Sequence, residues 1–329
     1  MFRKLACAGA FVGTVAIVAA ACGGSSNNNV VTKDFSIAPD AGSMGGDGGN
    51  DMTMVVYTDT TAHAYDTASI GDPLAVTGAA VKLTNLVVLA PPVGFSAKFN
   101  GVAKAGCRYE VWAEDQSCTT APCGVVLTTP VIMNPMGAGM FCPFASATTT
   151  ALKDTWRGDV VTVSGLTDLF ANTDPNGSNG TVVQHGVTID LLTTSTVKGD
   201  LPAPLVVTDT DPTQFKPYVT GGGFQKYEGT YIELKPATGT FTTTLTSNAK
   251  FKTTCPGAPA GNLYNGSFTV APGGASFSDT YTAFYLNKDA GQATNCAPID
   301  GSKYSSISAI VSASFGGALL PTETSDFKP

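Results

Sequence analysis

Between residues 55 and 329 no stretch sustains the 3.6-residue apolar period of an amphipathic helix. The apolar residues fall instead into short alternating or continuous runs rich in Val, Thr and Ile, bounded by Gly, Pro, Asn and Asp. That pattern restricts the chain to an all-β fold. Strands are expected over 74–91, 107–114, 124–133, 159–170, 181–193, 229–241, 267–271, 275–284 and 304–315. The 37 glycines and 20 prolines serve the connections, as in the Pro272-Gly273-Gly274 turn, which suits a hairpin. Only ATTTALKDTW, 147–156, is a candidate for a short helix.

About 270 residues are enough for one large or two ordinary domains. Two halves share a pattern but little identity. Each has a long opening strand, a hairpin, an irregular stretch and a closing pair of strands. The first runs from 81–91 to GDVVTVSGLTDLF at 158–170, and the second from 231–241 to YSSISAIVSASF at 304–315. LPAPLVVT at 201–208 lies between them.

The N-terminus reads as an export signal. Arg3 and Lys4 precede an apolar, Ala-rich run over 5–21, which ends Ala19-Ala20-Ala21-Cys22-Gly23. Small residues leading into a cysteine are the pattern cleaved in bacterial lipoproteins, so 1–21 is expected to be removed and Cys22 acylated. An anchor of acyl chains holds a membrane at roughly 0.8 kcal/mol per buried CH₂. Gly23, in place of Asp after the cysteine, is compatible with the outer membrane of the cell envelope. Residues 22–54 are dominated by Gly, Ser, Asn and Asp and bury too little apolar surface to offset ordering, so they form a flexible tether. Within it, DGGND lacks the spacing and closing Glu of a calcium loop.

Removal of the signal takes Arg3 and Lys4 from the 18 basic residues and leaves all 25 acidic ones, so the net charge moves from −7 to −9. Affinity for nucleic acid rests on Lys and Arg neutralising phosphates, so this balance disfavours such a partner. Of eight cysteines, Cys7 leaves with the signal and Cys22 is acylated. The six that remain, Cys107, Cys118, Cys123, Cys142, Cys255 and Cys296, suggest disulfides in an exported chain. Spacing does not fix the pairing. The economical set pairs within each half: 118–123 across a hairpin tip, 107–142 and 255–296. Metal binding is disfavoured, because there is no CxxC and histidine occurs only at 63 and 185.

No catalytic constellation is legible. His185 (VVQHGVTID) and His63 (TAHAYD) accompany neither GxSxG nor HExxH, and the carboxylates are scattered among turns without an evident pair. His185 is expected at a plain strand or surface position. DPNGSNG at 174–180 places Asp174, Asn176 and Ser178 at alternate positions, but Asn179 and His185 stand where a calcium loop needs Gly and Glu, so it reads as a turn. Tyr109 and Trp112, three apart on a strand, should face opposite sides. Core packing is the expectation for both, and for the group Tyr281, Phe284 and Tyr285. GGGF at 221–224 is not a phosphate loop, since no GK[ST] follows and no helix is expected to begin there.

Several stretches nevertheless resemble a known family. IGDPLAVTGAAVKLTNLVVLA, CRYEVWAED with GVVL, and GDVVTVSGL are similar to OB-fold-like domains found in tandem in extracellular bacterial proteins, some of which carry nuclease domains. GDLPAPLVVT resembles the joiner between copies. YEGTYIEL, GSFTVAPGGASFSDTY and YSSISAIVSASFGGALLPTETSDF resemble a second copy. The resemblance covers roughly 55–329. It implies two tandem OB-like β-barrels, 55–200 and 228–329, joined by 201–227. Such barrels bind oligonucleotides or oligosaccharides in many of their users. No catalytic domain follows the second copy before Pro329, so the expectation is a binding or assembly module without a cofactor, contacting an envelope protein or glycan. The alternative is an accessory substrate-holding subunit, for oligosaccharide or single-stranded nucleic acid, of a separate hydrolase or nuclease. A structural spacer is the third reading.

Overall fold

The structure is a computed structural model. It describes residues 55–68, 72–90, 92–134, 155–177, 179–211, 214–245, 268–277 and 301–329, with Gly137 and Leu152 between them. The signal, Cys22 and the tether lie outside these residues, as do Cys142, Cys255, Cys296 and the group Tyr281, Phe284 and Tyr285. The expected helix over 147–156 lies largely outside them too, and Thr155 and Trp156 are not helical.

The chain is all-β, in two sheets. The first comprises β1 (Thr58–Thr60), β2 (Ala80–Val88), β3 (Val93–Phe99), β4 (Val102–Asp115), β5 (Gly124–Thr128), β6 (Ile132–Met133), β7 (Asp159–Thr173) and β8 (Thr181–Lys198). The second comprises β9 (Leu205–Asp209), β10 (Tyr231–Pro236), β11 (Phe241–Leu245), β12 (Phe268–Ala271), β13 (Ser276–Phe277), β14 (Lys303–Tyr304), β15 (Ser306–Ser312), β16 (Ala318–Leu320) and β17 (Phe327–Lys328). Two short helices interrupt them, α1 (Ala62–Asp66) and α2 (Gly223–Lys226). No helix among the described residues is long and apolar enough to cross a membrane.

In the first sheet the order is β1-β2-β7-β8-β5-β4-β3, and β2 pairs with β4 as well. Strands β2, β4, β5, β8 and β7 therefore form a closed circuit of pairings, antiparallel except for β5 with β8. Alternation along these strands sends Val81, Leu83, Val111, Val125, Leu127, Val161, Val163 and Val187 into one core. The register of β2 against β7 shifts between Leu83 and Leu86, where Asn85 takes a left-handed φ of 57°. This bulge re-phases the strand, so Leu83 and Leu86 both reach the same core although they are three apart.

The second sheet runs β14-β11-β12-β13-β16-β15-β10-β9, with β17 on β15. Its parallel pairs are β13 with β16 and β10 with β9. Phe241, Phe268, Phe277, Ile307 and Leu319 fill its core. Residues 201–227, expected as a joiner, contribute the edge strand β9 and α2 to this half.

A third core joins the sheets. Leu89, Ala90, Trp112 and Val126 of the first meet Tyr231, Ile310, Ala318 and Leu320 of the second. Tyr109 and Trp112 do face opposite sides: Tyr109 lies in the first core and Trp112, fully buried, in this shared one. Each buried leucine contributes roughly 1.5–3 kcal/mol to the seam. At its edge the backbones of Gly124 and Gly229 touch, so that a Cβ on Gly124 would lie 2.0 Å from the Gly229 carbonyl oxygen. Polar contacts line the seam. The Cys123 N–H donates to Thr230 Oγ1 at 3.0 Å, Asn172 Nδ2 donates to the Ala313 carbonyl at 3.1 Å, and Arg157 pairs with Glu323.

Candidate functional site

Two features outside the cores carry side chains that could act: an open cleft beside β9, and a buried acid–histidine cluster where α1 meets both halves.

The cleft is built by the chain that leaves β9. After Asp209 the backbone turns through hydrogen bonds from Gln214 N to Asp211 O (2.9 Å) and from Gly222 N to Val219 O (2.9 Å). The Gly223 N–H then returns to the Gln214 carbonyl at 2.6 Å. A one-turn helix, α2, does begin at GGGF, contrary to expectation. At four residues it is no phosphate-binding helix; it forms one wall of the cleft. Phe215 and Phe224, both buried, meet edge to face at 5.5 Å and fix the loop to the second core. The resulting cavity of about 540 Å³ opens between Val206 and Thr208 on one side and Asp211, Gln214, Lys226 and Tyr227 on the other. Tyr227 stacks on Phe215 at 6.1 Å, and Lys226 Nζ lies 5.2 Å from the Tyr227 ring centre. A half-buried aromatic ring beside an amide and charges of both signs suits a hydroxyl-rich ligand better than an apolar one.

The cluster centres on His185, in β8. Its Nδ1 hydrogen-bonds Glu228 Oε2 at 2.9 Å, and its backbone N–H donates to Glu228 Oε1 at 2.5 Å. Asp66, the last residue of α1, places Oδ1 3.8 Å from the same Nδ1. Tyr65 meets the imidazole edge to face at 5.1 Å and donates its hydroxyl to the Gly186 carbonyl at 2.8 Å. Asp66 and Glu228 are buried. Burial pushes the Asp66 carboxyl well above the usual carboxylate range, reinforced by the charge of Glu228. Burial raises Glu228 too, against the opposing hydrogen bond and charge of His185. His185 is therefore not at a plain strand position, and the carboxylates are not all scattered: residues far apart in sequence converge. Among the described residues no group of three His, Cys, Asp or Glu side chains is arranged to hold a metal.

The remaining sequence candidates take structural places. Cys118 and Cys123 are disulfide-bonded at the tip of the β4–β5 hairpin, the pair that spacing favoured. Cys107, buried in β4, is disulfide-bonded as well. The expected 107–142 and 255–296 pairings fall outside the described residues. His63, in α1, donates from Nδ1 to the Pro122 carbonyl at 2.7 Å. In the 174–180 loop, Asp174 accepts from the backbone N–H groups of Asn176 (2.9 Å) and Asn179 (3.0 Å), so the carboxylate closes its own turn. The cleft residues Gln214, Lys226 and Tyr227 carry no sequence motif; only a basic and an aromatic residue side by side before a strand hinted at them.

A scan against protein-family models returns no match for this chain. A search of curated proteins returns none either.

Proposed function

We propose that the chain is a non-catalytic binding module of the cell envelope, held to the membrane through an acylated Cys22, which engages a glycan in the cleft beside β9. The cleft carries this reading. It has the volume of a small-ligand site, a wall whose Tyr227 stacks on the buried Phe215, and the mixed amide, carboxylate, ammonium and phenol groups that hydrogen-bond sugar hydroxyls. None of the side chains around it forms a nucleophile–base pair, and the His185 cluster is not part of its lining.

The strand order supports an OB-like reading of both halves. Taking β2, β4, β5, β7 and β8 as strands one to five, the circuit runs 1-2-3-5-4-1 with the 3–5 pair parallel. In the second sheet β10, β11, β12 with β13, β15 and β16, taken in chain order as strands one to five, follow the path 2-3-5-4-1, again with the 3–5 pair parallel, but without the 1–2 contact among the described residues. Such barrels bind oligosaccharides in other proteins, though a fold alone assigns no ligand. The acidic balance disfavours nucleic acid.

The test is calorimetric titration of the full chain with neutral and uronic-acid-containing oligosaccharides, beside Tyr227→Ala and Asp211→Asn variants. Binding weakened at least tenfold by either substitution supports the cleft. Binding indifferent to both substitutions, or no binding to any sugar, overturns it in favour of a protein partner. Fatty-acid labelling lost in Cys22→Ser tests the anchor.

A further inference from the structure

The described chain begins with a strap that precedes the first long strand. Tyr57 donates its hydroxyl to Asp190 Oδ2 at 3.0 Å, and β1 runs parallel to β2 in register Thr58 with Val81. Then α1 buries Ala62 and Tyr65 in the first core and ends on Asp66. Asp66 is fully buried, and neither of its oxygens has a hydrogen-bond donor in reach.

The neighbouring groups define the problem. One imidazole nitrogen, Nδ1 of His185, faces two carboxyls, and it is committed to Glu228 at 2.9 Å while Asp66 waits at 3.8 Å. The second oxygen of Glu228 is taken by the His185 backbone N–H. Tyr65, from α1, spends its hydroxyl on the Gly186 carbonyl. Asp168, on β7, adds another carboxylate toward Tyr65, and Arg108 on β4, whose charge acts on Asp168, is paired with Glu110. Among the described residues no lysine or arginine pairs with Asp66 or Glu228. Glu228 thus takes both donors of His185 and Asp66 has none, and a stable arrangement needs a proton on one of the two buried carboxyls.

We propose that residues 57–66 form a proton-locked strap, docked while Asp66 and Glu228 hold a proton between them and released when both ionise. This goes beyond the binding reading and is independent of the cleft. The direction follows from linkage. The docked strap keeps the Asp66 proton to a higher pH than a released, solvated Asp66 would. Acid therefore favours docking. Above the ordinary aspartate range, release gains about tenfold per pH unit until the docked carboxyl itself ionises.

The experiment is hydrogen exchange of the full chain at pH 5 to 8, corrected for intrinsic rates, read on the strap with β10 and β15 as internal references. Wild type should show strap opening that rises about tenfold per pH unit over at least one unit of that range, while the references stay flat. Asp66→Asn removes the titrating group and should leave the strap protected at pH 8 with no slope. Glu228→Gln removes the like charge but leaves Asp66 buried, so the rise should end at a lower pH than in wild type, which provides the reading if Asp66→Asn fails to fold. Tyr57→Phe removes the hydroxyl that Asp190 accepts and should loosen the strap equally at every pH, as a merely structural contact would. A wild-type strap equally protected at pH 5 and 8, or a slope that survives Asp66→Asn or is unmoved by Glu228→Gln, overturns the proposal.

Discussion

Glu114 of β4 accepts the backbone N–H of Tyr231 through Oε2 at 2.9 Å, so a carboxyl of the first sheet receives the opening strand of the second. Burial pushes Glu114 up to about 8, opposed by that hydrogen bond and reinforced by Asp115. A carboxyl raised on folding contributes its stability at low pH and loses it as the pH climbs from the ordinary glutamate range toward 8. Wild type should melt progressively lower between pH 5 and 8. Glu114→Gln, which keeps an acceptor and cannot ionise, should flatten that part of the curve. Each tenfold gain in proton affinity on folding is worth about 1.4 kcal/mol, or about 2–4 °C in Tm for a domain of this size. Superimposable pH–Tm curves for the two proteins would refute this.

Gly124→Ala tests the seam. The added methyl would meet the Gly229 backbone, which has no flexible end to swing away. The sheets must separate locally, at a cost of about 2–4 kcal/mol. Denaturant unfolding should show that loss. A change below about 0.5 kcal/mol would mean the two halves do not bear on each other there.

Asp209 ends β9 with both carboxyl oxygens unpartnered, pressed against the Gly273 backbone, where a Cβ would come within 1.8 Å of Oδ2. Burial, with Asp211 nearby, lifts it to about 6. Stability tied to it is present below the ordinary aspartate range and lost as the pH rises through 6. Asp209→Asn should raise Tm at pH 7.5 and change little at pH 4. The gain should be about 1 kcal/mol, because solvent near the strand end screens part of the effect. A Tm lowered at both values would show instead that the carboxylate makes a contact that matters when charged.

The Cys118–Cys123 bridge closes a loop five residues apart in sequence. So short a loop limits the chain-entropy gain to about 2 kcal/mol. The double serine variant should still fold, with a lower denaturant midpoint and an unchanged slope. Failure to fold would mean that the hairpin tip, through Cys123 and Thr230, organises the seam rather than decorating it.

Strands were legible in the sequence where burial left a regular pattern: β4, β7 and β8 appear close to where β-branched residues alternate, and β5 and β15, buried on both faces, where the runs are continuous. The opposed facing of Tyr109 and Trp112 followed from parity alone. β9 was hidden by Pro202 and Pro204, which make the segment read as a joiner although the pairing begins just after them. The bulge at Asn85 was invisible, since a strand read at strict period two would turn Leu86 to solvent. The acid–histidine cluster could not be read locally. His185 and Glu228 are 43 residues apart, and Asp66 sits in a one-turn helix too short to leave a periodic signal. α2 was missed at GGGF for the same reason, and with it the cleft wall.

The core shared by Trp112 and Ile310 also dictates an order of events. A chain made from its N-terminus releases Trp112, Leu89 and Val126 well before their partners exist. At ordinary synthesis rates the roughly 200 residues between them take about 10–40 s. Throughout that interval the half-made protein shows an apolar face to its surroundings, a natural foothold for a chaperone.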